Sequence, residues 1–78
     1  MNTLKDGKVG KTYRIVKIHG SGPLKRRIMD MGLTKRVEVF VRKSAPFGDP
    51  IQINVRNYEL SMRRADAMNI EVEEVKAQ

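Results

Sequence analysis

A chain of 78 residues and 8.9 kDa, 40% hydrophobic and 32% charged, has room for one small domain and little room for a walled catalytic cleft. It has no cysteine, hence no disulfide framework or thiolate metal site, and no apolar run near the roughly 20 residues that cross a bilayer. Its net charge of +7 is uneven: residues 1–43 carry twelve cations and three acids, residues 44–78 four and six, which favours an acidic partner surface, nucleic acid or anionic lipid.

In chain order, the first ten residues are rich in Lys and Gly, with Leu4 and Val9 as the side chains expected to pin them down. Met1–Asn2 opens into polar sequence rather than a signal peptide, so the expected address is the bacterial-type cytoplasm. A first strand is predicted from Lys11 to Ile18, with a slip in its period. Tyr13 and Ile15 share one phase and Val16 and Ile18 the other, which a bulge near Val16–Lys17 or a barrel corner would produce. Pro23–Met31 is the one clear helix: Ser21 or Gly22 is its cap, Pro23 its first residue and Gly32 its left-handed stop. Leu24, Ile28 and Met31 form its apolar stripe, predicted to seal one opening of a barrel.

Four further strands follow from alternation. Val37, Val39 and Val41 share a face; so do Ile51, Ile53 and Val55; then Tyr58, Leu60 and Met62; then Ile70 and Val72. A short helical turn is expected at Arg64–Met68. Between strands, Ser44–Pro50 has two prolines and a glycine and predicts an ordered loop, and Arg56-Asn57 has hairpin spacing, with Asn57 suited to positive φ. The fold class is mainly β: a small barrel of five or six strands with one inserted helix.

Few residues suggest chemistry. His19, the only histidine, is expected to be an exposed turn residue, since no second histidine or cysteine offers it a metal partner. Asp30, Asp49, Asp66 and the pair Glu73–Glu74 lack ligand spacing, so transition-metal binding is expected to be weak at most. Ser21, Ser44 and Ser61 lack a nucleophile context, and Gly20-Ser21-Gly22-Pro23 lacks the Lys-Ser/Thr ending of a phosphate loop. No catalytic residue and no cofactor are assigned; the chain is not read as an enzyme.

Lys25-Arg26-Arg27 places three cations in the first turns of a helix, where the macrodipole disfavours them. Arg27 is expected to lay its stem over the core, leaving Lys25 and Arg26 to an acidic partner. Phe40 falls on the outer phase and is expected to be covered by the helix or the N-terminal segment, whereas Phe47, at the tip of the Pro-Gly loop, is the exposed contact. Met1, Met29, Met31, Met62 and Met68 read as core fillers.

Pro23-Leu24-Lys25-Arg26-Arg27-Ile28-Met29-Asp30-Met31-Gly32-Leu33, Ala45-Pro46-Phe47-Gly48-Asp49-Pro50-Ile51, Tyr58 to Ala67 and Ile70-Glu71-Val72 together resemble the FeoA family, ferrous iron transport protein A. The resemblance runs through nearly the whole chain. It implies an SH3-like barrel spanning 1–78 and a cytoplasmic accessory protein of bacterial Fe(II) uptake. The implied partner is the FeoB permease, at its cytoplasmic GTP-binding domain, with membrane association only through that partner. A related domain ends metal-dependent repressors of the diphtheria toxin repressor type; with no helix-turn-helix ahead of it, this chain fits the standalone form. The family usually has Pro-Gly where Lys35-Arg36 stand, so a different or looser turn is expected there, with two added cations. The expected partner-binding residues are Lys25, Arg26, Lys35, Arg36, Phe47 and Asp49. The alternative is a small basic barrel that binds nucleic acid; stable nucleic-acid binding is not expected, because a stacking platform is doubtful with four aromatics, two of them in core phase. Weak self-association through the Phe47 loop is a further expectation.

Overall fold

The alternating segments become five antiparallel strands in a computed structural model that describes residues 2–20 and 22–76: β1 Thr12–Ile18, β2 Glu38–Ser44, β3 Ile51–Val55, β4 Tyr58–Met62 and β5 Ile70–Val75. Helix α1, Pro23–Asp30, lies between β1 and β2, and the short α2, Arg64–Ala67, lies between β4 and β5. The strands form one sheet in the order β4-β3-β2-β1-β5. Its inner face, with Ile28 and Leu33 from the α1 region, Ala67 of α2 and Leu4 from the N-terminal segment, makes a single core. Ser21, proposed as a helix cap and weighed as a nucleophile, and Met1, counted as a core filler, lie outside the described residues.

The slipped period of β1 is a bulge. Ile15 faces Val72 and Lys17 faces Glu71, so Val16 is the extra residue on β1. The re-phasing lets Tyr13, Ile15 and Ile18 all reach the core although they do not share a parity. A second bulge, which alternation did not predict, lies at Arg42: Val41 pairs with Ile53 and Lys43 with Gln52.

The N-terminal segment is anchored by one side chain. Leu4, in a single 3₁₀ turn over Leu4–Asp6, is fully buried, while Val9 is 54% exposed and anchors nothing. Gly7 is needed for this approach, because a Cβ there would meet Leu4 O at 3.0 Å and Val41 Cγ2 at 3.1 Å. The buried Tyr13 ring keeps its hydroxyl satisfied by the Lys8 amide at 2.9 Å, as burial of a phenol requires. Asn2 and Thr3 add a short rung to the edge of β5 at Glu71–Val72.

Helix α1 has no side-chain cap from Gly22 and no acid in its first turn. Its place is fixed by packing: Ile28 is fully buried, and Leu24 and Met31 pack on the core at partial exposure. Burying one such aliphatic side chain is worth about 1.5–3 kcal/mol, which outweighs the few tenths lost to each misplaced cation.

Several expected burials do not occur. Phe40 is 39% and Tyr58 41% exposed, and Met29 and Met68 are 43% and 52% exposed; of the described methionines only Met62 is buried. Phe40 sits mid-sheet on the outer face, opposite Thr12 and Asn54, which are too small to cover it. Tyr58 begins an edge strand with no further strand of the described residues on its far side, so core phase alone does not bury it. Arg27 does not lie on the core either: its side chain is 65% exposed and reaches Asp66 of α2 at 3.6 Å. His19 is half-buried rather than a free turn residue, with Nε2 2.8 Å from Glu71 Oε1.

The turn before β2 is tight, not loose. The Val37 amide donates to Thr34 O at 3.1 Å, and Arg36 takes φ of 77° at the third position. This is the left-handed region that a β-carbon disfavours by about 1–2 kcal/mol. Pairing to β1 compensates: the Arg36 amide donates to Ile15 O at 2.8 Å, and the Ile15 amide donates to Val37 O at 2.9 Å. Arg56 and Asn57, with φ of 50° and 69°, both take positive φ in the two-residue β3–β4 turn, the pattern of a type I′ hairpin. Relief of the left-handed strain predicts that Arg36→Gly stabilises the fold by about 1 kcal/mol after the entropy glycine adds to the unfolded chain. Thermal unfolding checks this, as a rise of about 4–8 °C.

Candidate partner-docking site

The Ala45–Pro50 loop is ordered from within. The Gly48 amide donates to Ala45 O at 2.7 Å, and the Ala45 amide donates to Pro50 O at 3.0 Å. It is also tied from outside by Arg64, the first residue of α2. The Arg64 amide donates to Asp49 Oδ1 at 2.9 Å, its Nε to Gly48 O and a terminal nitrogen to Lys5 O. One arginine therefore joins the loop, α2 and the N-terminal turn. Phe47 stands at the tip of this tied loop, 100% exposed. A large apolar side chain held fully in solvent contributes nothing to the core, and holding its loop in advance lowers the ordering cost of docking.

The predicted cations divide between two shallow depressions. Lys25 and Arg26 line one with Gly22, Pro23, Asp30 and the exposed Met29; Lys35 and Arg36 line another with Arg14, Ile15, Val16 and Glu73. Asp49 belongs with the Phe47 loop, where one carboxylate oxygen serves the Arg64 amide. Two residues that sequence reasoning passed over belong beside the predicted ones: Arg64, whose side-chain hydrogen bonds are all long-range, and Arg56, whose place in a two-residue turn was itself visible in the sequence.

The acids are largely occupied elsewhere. Five of the nine carboxylates sit in ion pairs with Lys or Arg, Glu74 with Lys11, Glu38 and Glu73 with Arg14, Asp66 with Arg27 and Glu59 with Arg42, and Glu71 is hydrogen-bonded to the His19 ring. Arg14 is shared at 3.1 Å by Glu73 and at 3.2 Å by Glu38, and hydrogen bonds from Glu73 and then Glu38 raise its pKa above the ordinary arginine value. The outer sheet face around Phe40 is thus nearly neutral, while Lys25 and Arg26 of α1 and Lys35, Arg36 and Arg56 of the turns take part in no ion pair among the described residues. Among the described residues no three of His, Asp and Glu converge on one point, and His19–Glu71 supplies two donors. No helix of the described residues is long and apolar enough to cross a membrane.

A five-stranded antiparallel sheet with a helix inserted between its first two strands, and with its distinctive exposed features on loops, defines a small SH3-like β domain. Residues 2–74 match the model of the FeoA domain, and the chain belongs to the FeoA family, which is associated with ferrous iron transport. It is 39% identical over 59 residues, 76% of its length, to the Fe(2+) transport protein A/Fe(2+) transporter FeoB fusion protein of Porphyromonas gingivalis, and spans 7% of that protein. The NMR structure of a FeoA-like protein from Clostridium acetobutylicum superposes with a TM-score of 0.90 at 32% identity, covering 97% of this chain and 88% of that one. The crystal structure of Stenotrophomonas maltophilia FeoA complexed with zinc, described as a prokaryotic SH3 domain protein, superposes with a TM-score of 0.81. At 21% identity, covering 94% of this chain and 91% of that one, it attests the fold.

Arg64→Ala removes both side-chain ties while leaving the backbone cap on Asp49. The expected outcome is faster amide hydrogen exchange across Ala45–Asp49 with little change in the β1–β5 ladder, read residue by residue by NMR; exchange rising equally throughout would deny Arg64 the local role.

Proposed function

We propose that this chain is a non-catalytic docking module of bacterial ferrous iron uptake that acts on the cytoplasmic GTP-binding domain of the FeoB transporter. The observation that carries this reading is the fully exposed Phe47 on a loop tied by Arg64. Membership of the FeoA family and the fusion of a relative to FeoB support this choice of partner. Lys25, Arg26, Lys35 and Arg36 steer the encounter with an acidic surface, and Phe47 supplies the apolar anchor, with Asp49 holding its loop in shape. Such a module works in the cytoplasm and meets the membrane through its partner.

Nucleic-acid binding is the competing function. Phe40 and Tyr58 are more exposed than their neighbours in sequence suggested, which adds aromatic surface. Around Phe40, however, Arg14 and Arg42 are engaged by Glu38, Glu73 and Glu59, which leaves no cationic track beside the ring.

Titrating the chain with the GTP-binding domain of a cognate FeoB, and separately with mixed-sequence RNA, tests the assignment by amide NMR. Shifts at α1, Lys35–Arg36 and the Phe47 loop with the GTPase alone are expected; shifts with RNA alone would transfer the function to nucleic acid. Lys25→Glu with Arg26→Glu should slow association about tenfold and flatten its salt dependence. Phe47→Ala should act on dissociation instead, weakening binding about tenfold or more.

A further inference from the structure

Two arginines hold left-handed backbone conformations in neighbouring turns, where glycine or asparagine is the unstrained choice. Arg36 has φ of 77° in the turn before β2, and Arg56 has φ of 50° in the β3–β4 turn. Val39 faces Val55, so the two turns lie at the same end of the sheet, one leading into β2 and the other leaving β3. The C-terminal end of α1 lies against the second turn: a Cβ at Gly32 would be 4.0 Å from Arg56 Cδ, and the Tyr58 hydroxyl donates to Met31 O. Arg36, Arg56 and Lys35 are all exposed, and none takes part in an ion pair among the described residues. Glu73, the one carboxylate lining the depression beside Lys35 and Arg36, is engaged by Arg14.

The two turns serve the fold, but glycine or asparagine would form them without strain; an exposed arginine side chain at each, at one end of the sheet, adds nothing to packing and is the pattern of side chains retained for contact. We infer that Arg36 and Arg56, with Lys35 beside Arg36, form an anion clamp that grips carboxylates on an acidic protein surface. Guanidinium forks suit paired carboxylate oxygens, and the left-handed turns project them from fixed backbones. A nucleic acid is the less suitable occupant, because Tyr58 is a single ring beside Arg56, whereas single-strand binding stacks successive bases on several aromatic side chains. The clamp rests on the docking function proposed above and assigns it a contact centre, including Arg56, that the helix cations do not supply.

The test uses the full chain and a double variant, Arg36→Asn with Arg56→Asn. Asparagine accepts positive φ, so the fold is retained while both forks are lost. Amide NMR titrations are run with the cognate FeoB GTP-binding domain, with an octaglutamate peptide and with mixed-sequence RNA. The expected result is a footprint on Gly32–Val37 and Val55–Tyr58 with both protein probes, weakened about tenfold in the double variant, whose thermal stability is equal or higher. Binding of the GTPase that is unchanged in the double variant overturns the clamp and leaves the docking function standing. If the GTPase does not bind the native chain, the docking function fails and octaglutamate decides the clamp: a footprint on the two turns sustains it, and none, or shifts spread over all the lysines, overturns it. A footprint on the two turns given by RNA and not by octaglutamate also overturns it.

Discussion

Ile15 holds the turn between α1 and β2 through both of its backbone groups, accepting from the Arg36 amide and donating to Val37 O, while Val72 faces it from β5. Much of the molecule follows from that attachment. It fixes where β2 begins, and so the register that places Val39 and Val41 in the core. It also fixes where α1 must end, so that Ile28 and Leu33 close over that core. Just beyond Ile15 the strand bulges at Val16, which turns Ile18 inward. A looser turn would release β1 from one neighbour and the helix from its seat; the observed turn accepts strain at Arg36 because two backbone hydrogen bonds and a helix's burial depend on it.

The second organising element is Arg64, which works across sequence separations that no local pattern encodes. Its contacts with Gly48, Asp49 and Lys5 join three segments far apart in sequence: the loop, α2 and the N-terminal turn. The consequence is functional rather than stabilising in bulk. An exposed aromatic on a mobile loop would have to be ordered at each encounter, whereas here most of that ordering belongs to the folded state.

The charges complete the picture. Most carboxylates are paired, and Lys25 and Arg26 of α1 with Lys35, Arg36 and Arg56 of the two turns are among the cations that take part in no ion pair among the described residues. A molecule of +7 then presents a nearly neutral sheet face and cationic loops, an arrangement suited to orienting the domain as it approaches an acidic surface.

Alternation made all five strands legible, and the slipped parity of Tyr13, Ile15 and Ile18 even located the bulge, because a strand facing one core has a period of two and any break in it must be absorbed by the backbone. Pro23 and Gly32 bounded the helix for equally local reasons. Four motif segments in order carried the family. The exposure of Phe40 and Tyr58 was not legible, since parity names a face but not what covers it. Neither was the tight turn at Arg36: its intrinsic preference opposes positive φ, and only pairing with Ile15, more than twenty residues earlier, reverses the balance. The sequence by itself therefore determined the elements and their inward faces, which depend on neighbours along the chain. The tertiary structure decided which loop is held, which charges are left over and which arginines are strained, because those depend on contacts between residues far apart in it.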